Sequence, residues 1–426
     1  MEAQPLEGKA LLALSHPSTS IQAYEGSVRS GKTFTSLIDW LAFTRTGPEG
    51  ALAMCGRTER TVINNLVIPL QEMLGKDRVK INYGTGTVTI MGREINVYGA
   101  NNEQARTKIQ GATLAGAYAD EAATLPESFF SMLYSRLSVD GAKLWLTSNP
   151  EGPAHWLKKN WLDKAALWID GAGNFHRNDS PDALDLHRYT FILDDNKSLP
   201  AAYVERTKKS YSGLFYRRYI LAEWVAADGA VFDAWAPDRH VVAHNELPAM
   251  RSVLGLGVDY GTTNATSAIL LGLGSDGVLY AMDEWRYDSR QATIRLTDGQ
   301  LSAALRDWLE ARATDGHRPD WVIVDPAAAS FKVQLDQDRV ANVINGENDV
   351  LYGIRTIASL LNAGKLRISE RCKGLISEMP GYSWDTKATE QGEDKPLKVA
   401  DHSIDAFRYA VATTETNWRP YIDLAA

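Results

Sequence analysis

The chain has 426 residues, of which 44% are hydrophobic and 23% charged, with a formal net charge of -8. That length exceeds one ordinary hydrophobic core and fits two domains, and the mixture excludes a disordered or fibrous chain. The acidic balance argues against a protein that coats DNA through many Lys and Arg contacts to phosphate, while leaving room for a motor that grips DNA locally and lets go.

No apolar run approaches the roughly 20 residues that span a bilayer, and the first residues lack the pattern of a signal peptide. A soluble cytoplasmic protein without membrane partners is expected. The two cysteines, Cys55 and Cys372, lie far apart and suggest neither a disulfide framework nor a zinc site.

Residues 21–45 read as a short strand, a glycine-bearing turn and an amphipathic helix with Leu37, Ile38 and Leu41 among its apolar positions. A second strand is expected at 51–55, then a helix through Ile63, Leu66 and Leu70 that ends near Gly75. Two β-rich runs, 79–83 and 87–98, flank Gly84-Thr85-Gly86 and suggest a hairpin. Strands at 114–119 and 143–147 follow, and a helical, Trp-rich stretch carries Trp156, Trp161 and Trp168. Strands alternating with helices predict a parallel, doubly wound α/β sheet.

Residues 171–185, rich in Gly, Asn, Asp and Pro, predict a surface loop, and helices are expected at 201–211 and 213–224. Periodicity is lost at 229–250, which reads as an interdomain linker. The expected organisation is therefore 1–228 as the first domain, with a lid or linker subdomain at about 151–228, and 251–426 as the second. The second domain opens with strands at 254–259, 266–271 and 278–284 and a long helix through Ile294, Leu301, Leu305 and Leu309, a pattern that suggests a ribonuclease H-like α/β fold.

Gly26-Ser27-Val28-Arg29-Ser30-Gly31-Lys32-Thr33 fits GxxxxGK[ST] between a strand and a helix. Backbone N–H groups of such a loop face the β- and γ-phosphates, Lys32 adds a point charge and Thr33 a hydroxyl for Mg²⁺. Asp120-Glu121 ends a buried strand where α/β sheets collect ligands. Asp120 would hold Mg²⁺ through water, and Glu121 would polarise the attacking water. Arg29, Arg136 and Arg60 are candidates to neutralise charge on phosphate; Arg29 is the best placed in its own subunit, and Arg136 could serve a neighbour in a ring. Asn196-Lys197-Ser198-Leu199 lacks the acid that would read guanine, so ATP is the expected nucleotide.

Asp259 and Asp325 each end an apolar strand; Tyr260-Gly261-Thr262-Thr263-Asn264 follows the first. Asp401 and Asp405 share one face of an expected helix, with His402 between them. Each acid has a plainer reading as a turn or cap residue. Together they make sense around two Mg²⁺ or Mn²⁺ ions straddling a scissile phosphate. His402 reads equally as a ligand, a proton donor or an interior histidine. The basic pairs Lys158-Lys159, Lys208-Lys209 and Arg217-Arg218 suit DNA phosphate or a solvated face.

In its order of motifs, with Ser148-Asn149-Pro150 after the acidic pair and the less general stretches 216–224 and 401–409, the chain resembles tailed-bacteriophage large terminase subunits over nearly its whole length. The resemblance implies that 26–33 is a Walker A loop, that Asp120 and Glu121 are Walker B and its catalytic acid, that Thr147, Ser148 and Asn149 form the coupling motif, and that Asp259, Asp325 and Asp405 are nuclease metal ligands. It further implies double-stranded DNA, a portal protein and a small terminase subunit as partners, a pentameric ring on the capsid, and work in the host cytoplasm. The family's adenine-contacting Gln usually lies upstream of the loop; the candidate here, Gln22, departs from that pattern by standing close to it. The competing expectations are a cellular ATP-dependent repair nuclease or helicase, and a DNA-binding assembly ATPase whose nuclease-like half is inert.

Overall fold

The computed structural model describes residues 6–261, 264–289, 295–313 and 316–424. Ile294 of the expected long helix and Thr262-Thr263 after Asp259 lie outside them. The chain divides into two compact units. One comprises the residues up to Pro200 together with Leu214–Ala226 and Glu390–Glu393; the other comprises Ala201–Gly213, Ala227–Thr389 and Asp394 onward.

The first unit is built on a ten-stranded sheet. Its centre is parallel, in the spatial order Arg93–Gly99, Ala51–Gly56, Leu114–Ala119, Lys143–Ser148, Ile21–Gly26, Leu184–Phe191 and Ala165–Ile169. The central strands are buried along almost their whole length, as the continuous apolar runs of a sheet covered on both faces require. One face packs Trp40, Phe43, Leu66 and Trp145; the other packs Phe129, Phe130, Leu157 and Leu162.

The sequence reading needs revision in four places here. The run 87–98 is two antiparallel strands, Thr87–Ile90 and Arg93–Gly99, because Met91 (φ 50°) and Gly92 (φ 88°) turn the chain. Trp168 stands on the strand Ala165–Ile169, and the expected loop 171–185 contains Phe175–Arg177, paired antiparallel to it. The second of the two expected helices spans only Gly213–Tyr219. The helix through Leu66 contains a π-helical turn, Ile63–Val67, just before Pro69, which has no N–H to continue the ladder.

The second unit has a seven-stranded sheet. Its long strands Leu279–Asp288, Ala265–Gly274 and Met250–Asp259 are antiparallel neighbours, and Trp321–Val324 and Val343–Asn345 continue it in parallel. Counted along the chain these five strands lie in the order 3-2-1-4-5, the ribonuclease H-like arrangement. Leu366–Ser369 and Val241–Val242 extend the other edge. The helix His402–Thr413 packs on Met250–Asp259 and Ala265–Gly274.

Two segments group with this unit although they were expected elsewhere. Within 229–250, Val241–Val242 pairs in the sheet and Ala230 bridges Ser383, so backbone hydrogen bonds claim a stretch that has no periodic sequence signal. Helix Ala201–Ser210 lies beside Val350–Asn362, and Asn362 Nδ2 donates to the carbonyls of Lys209 and Tyr211.

Candidate functional site

The phosphate loop leaves the carboxyl end of Ile21–Gly26, where a β-carbon on Gly26 (φ 133°) would lie 2.0 Å from the Phe191 carbonyl oxygen. Only glycine fits there. The loop is then tied at successive points. Ser27 N–H donates to Phe191 O (2.8 Å), Ser27 Oγ to Ile220 O (2.6 Å), Val28 N–H to Tyr219 O (3.1 Å), and Asn196 Nδ2 to Arg29 O (2.7 Å). Arg29 itself adopts a left-handed backbone (φ 55°) and an exposed position.

Lys32, first residue of the helix Lys32–Thr46, is buried and donates to Ser27 O (2.9 Å) and Asn149 Oδ1 (2.7 Å). Burial pulls its pKa down to about 8, against the opposing pull of Glu121, Asp120 and Glu25. Its two acceptors are neutral, so a charged phosphate oxygen would hold the ammonium better. Thr33 follows on the same helix turn, half-buried.

Asp120 and Glu121 stand where expected, just past Leu114–Ala119, and Thr147 joins them. Thr147 Oγ1 donates to Asp120 Oδ1 (2.7 Å) and accepts from Glu121 N–H (3.0 Å). Asp120 is 4% exposed, and burial raises its pKa. Glu121 adopts a left-handed backbone (φ 47°) and is exposed, which turns the two neighbouring carboxyls in different directions. Ser148 is buried and Asn149 half-buried.

Other candidates are placed less favourably. Gln22 is buried, with Nε2 donating to Ser18 O (3.4 Å) and Oε1 accepting from Tyr189 (2.8 Å), so its amide is engaged inside the sheet. Arg136 caps the helix Glu127–Ser135, and its Nη2 lies 3.1 Å from Met132 Sδ. Arg60 is exposed. Among the basic pairs, Lys158 meets Asp163, Arg217 meets Glu223, and Arg218 is buried against Glu151 and the Val225 carbonyl.

In the second unit Asp259, Asp325, Asp401 and Asp405 all line one cavity of about 820 Å³, with His402, Lys398, Arg286 and Tyr409. The close approach depends on Gly257: a β-carbon there would lie 2.0 Å from Ala406 O, in the helix that carries Asp405. His402 Nδ1 sits 2.9 Å from Asp259 Oδ2, and that hydrogen bond raises the His402 pKa. Burial raises the Asp259 pKa, with His402 opposing and Asp405 and Asp325 reinforcing. Lys398 Nζ lies 2.8 Å from Asp405 Oδ2 and 3.2 Å from Asp401 Oδ2. Burial works to lower the Lys398 pKa, but Asp405 and Asp401 outweigh it and raise it. Asp405 Oδ1 also meets Arg408 (3.3 Å), and Asp325 Oδ1 accepts from Ala327 N–H (2.8 Å) in a turn.

As placed, no three His, Cys, Asp or Glu side chains among the described residues come close enough together to hold a metal ion. The donor set nonetheless fits one. Four carboxylates share a cavity, and Asp401 Oδ2 is buried with only the exchangeable Lys398 ammonium 3.2 Å away. Hard oxygen donors of this kind suit Mg²⁺ or Mn²⁺, and the nearby cations Lys398 and His402 offset only part of the negative charge.

Sequence reasoning overlooked several residues of both sites. Asn65, on the π-helical turn, donates to Asp120 Oδ2 (3.0 Å). Glu25 is buried and takes Trp224 Nε1 (2.8 Å), Arg188 Nε (2.8 Å) and the Thr190 hydroxyl behind the phosphate loop. Lys398, Arg286 and Glu378 carry no motif. Only the acid beside the loop had a signal, as the one charge in a buried strand.

Residues 23–235, half of the chain, match the family described as "Terminase large subunit, T4likevirus-type, N-terminal". The large terminase of a thermophilic bacteriophage, in its complex with ADP, is 36% identical over 96% of this chain and 99% of that one, with a TM-score of 0.84. A second crystal form of the same phage protein gives 37% identity over 97% and 99%, with a TM-score of 0.85. The large terminase subunit of Escherichia phage T5 is 23% identical over 301 residues, which span 67% of this chain and 61% of the T5 protein.

Proposed function

The chain belongs to the large terminase subunit family, and we propose that it hydrolyses ATP to drive double-stranded DNA into a viral procapsid and cuts the concatemeric DNA at the start and end of packaging. The observation that carries this reading is the presence of both chemistries in one chain. A phosphate loop and Asp120-Glu121 share the carboxyl edge of one sheet, and four aspartates share one cavity of the other unit.

In the ATPase the loop 26–33 binds the β- and γ-phosphates, Lys32 leaves Asn149 for a phosphate oxygen, and Asp120, through water, and Thr33 would hold Mg²⁺, which would supply charge shielding. Glu121 accepts the proton of the attacking water. Arg29 neutralises charge from within the loop, and Arg136 is the trans candidate in a ring of subunits. The bonds of Thr147 to Asp120 and the Glu121 backbone, and of Asn149 to Lys32, support 147–149 as the coupling segment that senses hydrolysis. ADP and ATP-gamma-S are bound by the large terminase of the thermophilic phage, which supports nucleotide binding here.

In the nuclease Asp259, Asp325 and Asp405, joined by Asp401, would hold two Mg²⁺ or Mn²⁺. Such ions would supply activation of water and stabilisation of the leaving oxygen. His402 is oriented by Asp259, and Arg286 and Lys398 meet DNA phosphate at the cavity. The partners are double-stranded DNA, a portal protein, a small terminase subunit and further copies in a pentameric ring, in the host cytoplasm. Among the described residues no helix is long and apolar enough to cross a membrane. The first chemistry is assigned to the unit that holds the phosphate loop and the second to the unit that holds the four aspartates.

The test is plasmid cleavage with Mn²⁺ or Mg²⁺, alongside ATP hydrolysis, for wild type, Lys32→Ala and Asp325→Ala. Lys32→Ala abolishes hydrolysis and keeps cleavage; Asp325→Ala does the reverse. Equal loss of both activities in either folded variant refutes the division of labour.

A further inference from the structure

The helix His402–Thr413 begins with an anomaly. Asp401 occupies its N-cap position, the place where an aspartate normally accepts the exposed N–H groups of the first turn. It makes no such bond. Those N–H groups go to Glu378 instead, whose Oε2 accepts from Ser403 N–H (2.8 Å) and Ile404 N–H (3.1 Å).

Glu378 reaches them from the end of a different helix, Lys373–Glu378, and its side chain is 3% exposed. Its other oxygen receives Arg286 Nη1 at 2.6 Å. Arg286 lines the carboxylate cavity and also donates to Ser403 Oγ. Glu378 is thus a buried anion fixed on both oxygens, at the helix end where a negative charge is favoured.

An acid borrowed from elsewhere leaves Asp401 with nothing to cap. Its Oδ2 is buried and meets only the Lys398 ammonium, 3.2 Å away. Asp405, one turn later on the same helix, faces the same cavity.

We propose that Glu378 is a positioning residue of the nuclease: by capping His402–Thr413 in place of Asp401, it keeps the Asp401 carboxylate free to bind a divalent cation beside Asp405. The inference rests on the metal-nuclease reading above. Without Glu378, Asp401 rotates to cap its own helix, the cheapest way to satisfy the orphaned N–H groups, and the cavity loses a ligand.

The probe is Mn²⁺, followed by the electron-spin-resonance signal of the free ion as it is titrated into the full chain, with thermal melting as the check on folding. Glu378→Ala weakens Mn²⁺ binding about 10- to 100-fold, the usual effect of losing an outer-shell partner. Asp401→Asn weakens it similarly, and the double variant binds no worse than either single one, because both changes remove the same ligand. Glu378→Gln, which keeps an acceptor oxygen, restores most of the affinity. If Glu378→Ala does not fold, Glu378→Leu, which refills the volume, replaces it.

Wild-type affinity in a folded Glu378→Ala or Leu protein, or additive losses in the double variant, overturns the proposal; if Asp259→Asn or Asp405→Asn still weakens Mn²⁺, the nuclease reading stands. No Mn²⁺ binding by the wild-type chain sinks both.

Discussion

The phosphate loop is held mainly through backbone carbonyls, with neutral side chains such as Asn196 adding further ties. Carbonyls of Phe191, Tyr219 and Ile220 anchor Ser27 and Val28, and glycine at position 26 permits the approach to Phe191. The carboxylate cavity is held by side-chain charge, with Lys398 against Asp405 and Asp401, and His402 against Asp259. A backbone cradle is formed before its ligand arrives. A set of like charges is held only by counter-charges, and 60% of the Lys398 side chain is exposed, so that contact is exchangeable. The first site is pre-organised for an anion; the second waits on cations.

That contrast can be broken at Glu121, where the largest loss is expected. Glu121→Gln removes the proton acceptor but leaves the loop bonds intact. ATP hydrolysis falls about 10²- to 10⁴-fold while nucleotide binding, measured by fluorescence of a labelled analogue, stays near wild type. A parallel loss of binding would mean that the acid helps build the cradle.

Gly257 gives the intermediate effect and sharpens the comparison on the other side. A methyl group there must push the backbone at Ala406 away, which displaces the helix carrying Asp405. Gly257→Ala should lower stability by about 1–3 kcal/mol, the cost of overpacking, and reduce plasmid cleavage far more than ATP hydrolysis. Unchanged cleavage would show that the carboxylates do not need this spacing.

The smallest effect lies in pH. Burial holds Lys32 at about 8, below its usual 10.5, so the unfolded chain binds more protons between these values and stability rises with pH across that window. Polyphosphate favours the charged ammonium and raises its pKa, so nucleotide binding above about pH 8 must take up a proton. Affinity then falls by up to about tenfold per pH unit there, and calorimetry in buffers of different ionisation enthalpy should record the uptake. Proton-neutral binding at pH 8.5 would mean that Lys32 keeps its charge in the free loop.

Elements whose signal is local could be read from the chain alone. The strand, glycine loop and helix around Lys32, the apolar strand ending in Asp120-Glu121, and the strands ending at Asp259 and before Asp325 all read directly, because a buried parallel strand needs an unbroken apolar run and a turn needs its glycine. Folding settled what depends on partners distant in the chain. The stretch 229–250 has no period of its own, yet Val241–Val242 becomes a strand because Leu366–Ser369 offers an edge. Gln22 is a candidate by resemblance alone, and the fold engages its amide with Tyr189 and Ser18. Glu378 carries no motif, and only the folded chain brings its carboxylate to the first turn of the helix at Ser403, 25 residues away. Local pattern reports which residues are buried or turning; which donor meets which acceptor is settled only when the strands have been ordered and the helices packed on them.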